Sequence, residues 1–409
     1  MNKKYLLAVA VVGALALALA ACATDRADVT ETQSYDDGTY RGVFYDGGIM
    51  QVNIQFRLED DVISSPRFRH LFHRDIDYRA ETEDGWIAGI KEQHNAILEY
   101  LDGRHISAMY DLYDTGAMLG TEYDVDGATA ATVRGNKLFS AMQDALNRGA
   151  YSPAGELTRV LPTVQDGRYR GTFGDGGNMQ VNVQFDVRDG VITGASYRYL
   201  WYSDVDFRAA TDDAWVAGIK AQHDALLDYL VGNPVGAIFD LYTPGEVLGT
   251  EHDVDGATGA TVRGNKIHSA FRDGINRGIY SPANGAERIL PVHADGRYRG
   301  EFGDGGYQQV GVQFTIEDGV FGGGTYRHLF YRGTNYRGET DDVWAAGIRD
   351  QYSALFEYLE GRPVTALYDL HNPGEALGTE YDVDGATGAT LRANKAFSAI
   401  MDGLNRGVY

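Results

Sequence analysis

Cysteine is almost absent. One residue of 409, Cys22, carries a thiol, which excludes an intrachain disulfide. Basic residues are also scarce. Lysine and arginine number 36 against 58 acids, for a formal charge of −22. That balance excludes a nucleic-acid partner, which needs a basic footprint, and argues against adhesion of the folded part to an anionic membrane surface. The ten histidines have no metal-ligand spacing, so no metal site is expected. No catalytic acid–base pair or nucleophile emerges, so no catalytic residue is assigned. The long apolar run, Tyr5 to Ala21, falls short of the roughly 20 residues a membrane helix needs. What remains is ordinary globular composition, 44% hydrophobic and 23% charged, long enough for two to four domains.

Residues 1–21 read as an export signal: Lys3 and Lys4 form a basic start, an apolar stretch follows, and small residues Ala20 and Ala21 precede Cys22. The Leu19-Ala20-Ala21-Cys22 ending resembles the bacterial lipoprotein signal, which implies lipidation of Cys22 and a chain anchored to the membrane, facing the periplasm. Ala23 after the cysteine favours the outer membrane where a cell has two. The leader takes two lysines with it, moving the formal charge from −22 to −24. Residues 22–36 are polar and read as a tether.

Internal repetition dictates the architecture. Tyr40-Arg41-Gly42 recurs at Tyr169-Arg170-Gly171 and Tyr298-Arg299-Gly300, and Phe56, Phe185 and Phe314 keep the same constant offset of 129. A period this long is a domain rather than a solenoid unit. Three tandem domains are expected, at 37–150, 166–279 and 295–409, joined by short Pro-marked connectors.

In the second copy, Met179, Val181, Val183 and Phe185 alternate with polar residues, as a half-buried strand does. An aromatic-rich extended stretch runs from Tyr197 to Phe207. Thr211 is placed as the N-cap of a helix with Trp215, Ile219, Leu226, Leu227 and Leu230 on its apolar stripe. A short strand is expected from Gly236 to Leu241, then a Gly-rich loop, then a last helix from about Val262 to Arg277. Strands, helix, strand, helix without βαβ alternation read as an α+β fold: a small, mostly antiparallel sheet with two main helices in each copy.

One stretch appears three times before that last helix: Asp-Gly-Ala-Thr-Ala-Ala-Thr at 126–132 and Asp-Gly-Ala-Thr-Gly-Ala-Thr at 255–261 and 384–390. Each ends in a threonine, Thr132, Thr261 or Thr390, at the expected start of the helix. Unsatisfied N–H groups there favour an anion. Arg263, Asn265 and Lys266 follow within a turn and a half, with Arg134, Asn136, Lys137 and Arg392, Asn394, Lys395 in the other copies. A phosphate esterified to the hydroxyl would sit among donors and cations.

The pattern resembles the flavinylation motif of covalent FMN-binding domains, the family of the flavin subunits of the sodium-pumping NADH:quinone reductase. The likeness extends through most of each copy. It implies FMN joined through its phosphate to Thr132, Thr261 and Thr390 by an FAD:protein FMN transferase. It makes Asp126, Asp255 and Asp384 the leading acids and Thr129, Thr258 and Thr387 the Ser/Thr position. Gly259 and Gly388 with Ala131, Ala260 and Ala389 complete the motif, and Arg263 and Lys266 are the adjoining cations. Two departures matter. Ala130 stands where the other copies have glycine, which disfavours that copy if the position needs positive φ. Arg-Gly or Arg-Ala replaces the Thr-Ser common after the motif.

The stretch alone is compatible with a turn and an N-cap. A calcium loop fails, because glycine stands at position four and position twelve is Gly264. Aromatics at 68–78, 197–207 and 326–336 suit a sheet face or a flavin ring. Trp86, Trp215 and Trp344 are assigned to the core. His94 and His223, with Tyr352 in the third copy, are assigned to the helix surface. The expected function is an extracytoplasmic electron carrier with up to three covalent FMN groups, served by a redox partner protein or quinone-linked donor. The alternatives are a flavin-bearing component of a substrate-reducing complex and a non-redox surface module of the same fold.

Overall fold

The computed structural model describes residues 34–126, 128–129, 134–259, 262–338, 340–382, 387–388 and 391–409. Cys22 and the export signal lie outside them, as do Thr132, Thr261, Thr390, Asp384, Ala131, Ala260 and Ala389. Among the described residues no helix is long and apolar enough to cross a membrane.

The fold is α+β, with three mostly antiparallel sheets of five, five and four strands. The first holds β1 (Gly38–Asp46), β2 (Ile49–Glu59), β3 (Val62–His73), β4 (Ile76–Asp77) and β5 (Ser152–Pro153). Helices α1 (Gly85–Leu101), α2 (Thr115–Leu119) and α3 (Gly135–Arg148) lie between β4 and β5. The second set is β6 (Gly167–Asp175), β7 (Asn178–Arg188), β8 (Val191–Tyr202), β9 (Val205–Asp206), α4 (Ala214–Leu230), α5 (Pro244–Leu248), α6 (Gly264–Asn276) and β10 (Ser281–Pro282). The third is β11 (Gly296–Asp304), β12 (Tyr307–Glu317), β13 (Val320–Tyr331), β14 (Thr334–Asn335), α7 (Val343–Leu359), α8 (Pro373–Leu377) and α9 (Ala393–Arg406). Register repeats as the sequence does: Tyr40 pairs with Phe56, Tyr169 with Phe185 and Tyr298 with Phe314.

The recurring Tyr-Arg-Gly has a packing reason. A Cβ on Gly42, Gly171 or Gly300 would stand 2.0 Å from the carbonyl oxygen of Ala141, Ala270 or Ala399 in α3, α6 or α9. Only glycine lets the last helix lie directly on the first strand. The preceding tyrosine is buried against the paired phenylalanine at ring separations of 5.3–5.6 Å.

Three local expectations are corrected. Residues 236–241 are not a strand but part of a 3₁₀ helix, Val235–Tyr242. Buried Val235, Ile238 and Leu241 fall every third residue, the 3₁₀ period. The N-cap of α4 is Asp213, whose carboxylate accepts from the Trp215 and Val216 amides, while Thr211 braces Asp213 itself. Trp86, Trp215 and Trp344 sit at the helix starts and are 43–47% exposed. They are rim residues, not core.

Contacts between neighbouring sets close on themselves. Asp175 at the end of β6 accepts from Arg41 and Arg69, Asp304 from Arg170 and Arg198, and Asp46 from Arg299 and Arg327. The last of these joins the third set to the first. The C-terminal residue takes part: Tyr409 stacks on Phe44 at 5.6 Å and lies under Arg299 at 4.0 Å. Where α3, α6 and α9 meet, Arg148 bridges Asp144 and Asp273, Arg277 bridges Asp273 and Asp402, and Arg406 bridges Asp402 and Asp144. All six are buried.

Candidate functional site

The described part of the motif is a tightly braced loop. Val254 and Ala257 exchange backbone hydrogen bonds of 2.9 Å across Asp255-Gly256, and Val125 and Ala128 do the same. Gly256 adopts φ 81°, the left-handed conformation such a turn requires. Asp126, Asp255, Thr129, Thr258 and Thr387 are exposed. Gly259 and Gly388 are not among the left-handed glycines. The backbone reason for doubting the copy with Ala130 therefore falls away. An added Cβ there meets neighbours at 3.1–3.3 Å, which small shifts relieve.

Bracing residues at two positions of the repeat have no signature in the motif itself. Asp253 accepts from the Gly259 amide, and Asp382 from that of Gly388, both at 2.7 Å. Gln222, fully buried on α4, donates to the carbonyls of His252 (2.7 Å) and Ala257 (3.1 Å). Gln93 does the same to Tyr123 and Ala128, and Gln351 donates to Tyr381. Their exact 129-residue spacing was the available signal.

The last helices start three residues after the threonines rather than at them. Their N-caps are Arg134, Arg263 and Arg392, none of which makes a side-chain capping bond. The cap arginines are exposed. Lys137, Lys266 and Lys395 are not: they are 6%, 4% and 2% exposed. They point into the fold instead of flanking a surface phosphate. Lys137 donates to Gln51, Lys266 to Gln180 and Lys395 to Gln309 on the second strand of each sheet. No carboxylate forms an ion pair with them among the described residues. Burial pushes Lys137 and Lys266 down to about 8 and Lys395 to about 7, with Asp46, Asp175 and Asp304 partly opposing the shift and neighbouring arginines adding to it. A buried ammonium has three donors, so one amide oxygen leaves it ready for an electronegative ligand.

Lys137 and Lys395 line cavities. The first, about 360 Å³, is walled by Phe68, Phe72, Tyr78, Trp86 and His94, with Arg134 at its edge. The third set's cavity, about 230 Å³, is walled by Tyr331, Tyr336, Trp344 and Tyr352, with Arg392 beside Lys395. His94, His223 and Tyr352 therefore face inward, correcting their assignment to the helix surface. Burial drives His223 down to about 4, so its ring is neutral. His73, at the first cavity, is also held at about 4 by burial and the nearby Lys137 and Arg134. The walls offer aromatic faces and the floor a cation, which fits a planar aromatic ring with an electronegative edge. A larger hollow of about 680 Å³ between β8 and α4 is lined by Asp206, Arg208, Lys220 and Asp224. It lies away from the motif and mixes both charges without selectivity.

Asp144, Asp273 and Asp402 bring carboxylate oxygens within 4.8 Å of one another, near enough for a cation. Each is already bonded to two arginines, so the centre is an ion-pair ring and not a metal site.

Compared with family models, curated proteins and solved structures, the chain matches none.

Proposed function

We propose that this protein is an exported electron carrier built from three tandem copies of one FMN-binding domain. It is anchored by a lipid on Cys22, and FMN is attached through phosphoester bonds to Thr132, Thr261 and Thr390. The observation that carries this reading is the buried lysine with no carboxylate ion pair among the described residues, in an aromatic-walled cavity next to the repeated motif, in the first and third copies. FMN, when bound, supplies reversible uptake of electrons at its ring.

The chain's own groups have separable tasks. The capless helix start with Arg134, Arg263 or Arg392 suits the phosphate. The aromatic walls suit the ring, and the lysine suits its electronegative edge. Net charge and local charge oppose each other. The acidic surface works against added negative charge on the ring, but at physiological ionic strength surface charges are screened over about 8 Å. The buried lysine is not, so the local cation governs and eases reduction. The ring of contacts among copies favours an arrangement of the three sites around one centre over one along a line. No acid–base pair is assigned, so a separate redox partner, protein or quinone-linked, is required.

The test is to express the exported chain with the FAD:protein FMN transferase, denature it, and record flavin fluorescence and intact mass. Three FMN increments are expected, and each single Thr→Val change at 132, 261 or 390 removes one. Unmodified mass after such co-expression refutes the reading.

A further inference from the structure

We infer that Tyr202 occupies the cavity of its own copy, so that the second site is closed by the chain itself while the first and third stand open. The ligand this closure acts upon rests on the flavin reading above; the closure does not.

Three cavity positions decide it. Tyr78, His94 and Lys137 line the first cavity, and Tyr336, Tyr352 and Lys395 the third. Their counterparts 129 residues away in the second copy are Phe207, His223 and Lys266. All three touch one side chain. The Tyr202 ring stacks on Phe207 with centroids 4.5 Å apart and planes 25° apart. Its hydroxyl lies 2.9 Å from His223 Nε2, and Lys266 Nζ stands 5.0 Å from its centroid. Tyr202 thus holds the place a planar ligand would take, stacked on one wall and facing the cation.

The latch has a defined direction. His223 Nδ1 lies 2.7 Å from the Ile219 carbonyl and donates to it. That tautomer leaves Nε2 as the acceptor of the Tyr202 hydroxyl. The neutral ring expected from its burial agrees, and burial holds the Tyr202 hydroxyl well above its ordinary range. The third copy has the same residue type differently placed. Tyr331 lies against Lys395 at 3.7 Å and Arg392 at 5.3 Å, and Tyr336 and Tyr352 remain on the wall of the cavity. The first copy has His73, which cannot fill the same volume.

Freeing Tyr202 costs one hydrogen bond and one aromatic stack, so ring docking at the second site should be about tenfold to a hundredfold weaker than with the latch removed.

The test uses full chains that each keep one acceptor threonine, the other two being Val, co-expressed with the transferase. Intact mass counts the adduct, and iodide quenching of flavin fluorescence reports ring exposure. The chain keeping Thr261 should be quenched several-fold more strongly than those keeping Thr132 or Thr390. Tyr202→Ala should bring it to their level with the adduct mass unchanged. Equal shielding of all three rings with Tyr202 in place overturns the closure. Absence of every adduct would sink the covalent-flavin reading instead. The closure is then judged on the unloaded chain, where NMR cross-relaxation between the Tyr202 ring and those of Phe207 and His223 is expected. Its absence overturns the closure independently.

Discussion

Glu301 should be a pH-sensitive point in the molecule, and replacing it with Gln should stabilise the protein at alkaline pH. At the centre three arginines face three aspartates, so the ring is balanced before Glu301 is counted. The same position is Val43 in the first copy and Thr172 in the second. Glu301 is 2% exposed. Its Oε1 accepts from Arg277 at 2.8 Å and lies 3.9 Å from Arg406, but its Oε2 has no hydrogen-bond partner among the described residues. Burial, with repulsion from Asp402 and Asp273 outweighing what the shared arginines return, pushes the carboxyl from 4.5 up to about 7. A carboxyl raised on folding contributes stability that is complete below its unfolded value and is lost as pH rises through the folded one. The window is therefore pH 4.5 to 7, and above it the loss is about 3 kcal/mol. Glu301→Gln keeps the volume and an acceptor for Arg277 but cannot ionise. Urea unfolding of both chains at pH 5 and pH 8.5 reads the difference. Near-equality at pH 5 and about 3 kcal/mol in favour of the variant at pH 8.5 are expected. Parallel stability across the range would refute the argument that this carboxyl is a surplus charge.

Other predictions use the same packing. Lys395 has a folded value of about 7 against 10.5 unfolded. Its contribution is complete above pH 10.5 and lost as pH falls through 7, so Lys395→Met should raise the stability of the unloaded chain at pH 6 by about 2–4 kcal/mol. Thermal unfolding at pH 6 and pH 10 checks this, and a gain no larger at pH 6 contradicts it. In the flavin-loaded chain the same change should lower the midpoint potential, measured by equilibration with reference dyes. Gly171→Ala puts a methyl 2.0 Å from the Ala270 carbonyl and should cost about 3 kcal/mol or more, read by denaturant midpoint. Asp46→Asn leaves Arg327 and Arg299, its partners at 2.7 and 3.4 Å, without a counter-charge. A loss of about 3 kcal/mol is expected, with faster hydrogen exchange in β1 and β13 and little change in β6–β8.

The parts legible in the sequence were those governed by local rules. Alternation from Met179 to Phe185 marked β7, and the Asp-Gly-Ala-Thr stretch marked a turn at the start of the motif. The misses were tertiary. Val235 to Tyr242 has strand-like composition, but its apolar residues fall every third position. Thr211 and Asp213 are both good caps, and only the geometry shows that the carboxylate reaches the free amides. Trp86, Trp215 and Trp344 sit within an amphipathic helix pattern, yet their place in its first turn carries them past the core, Trp86 and Trp344 to a cavity rim. Lysine five residues past a proposed phosphate anchor reads as a surface cation. Its burial depends on Gln51, Gln180 and Gln309 across the sheet. The pairing of Asp46 with Arg327 spans 281 residues and has no local signature. The proposed acceptor threonines lie outside the described residues, so the proposal for them rests on the motif and its surroundings.

The most direct measurement of the central claim is the intact mass of the chain after co-expression with the FAD:protein FMN transferase. The account predicts three FMN increments, with one lost for each of Thr132→Val, Thr261→Val and Thr390→Val. An unmodified chain, or increments that persist when these threonines are replaced, would contradict it.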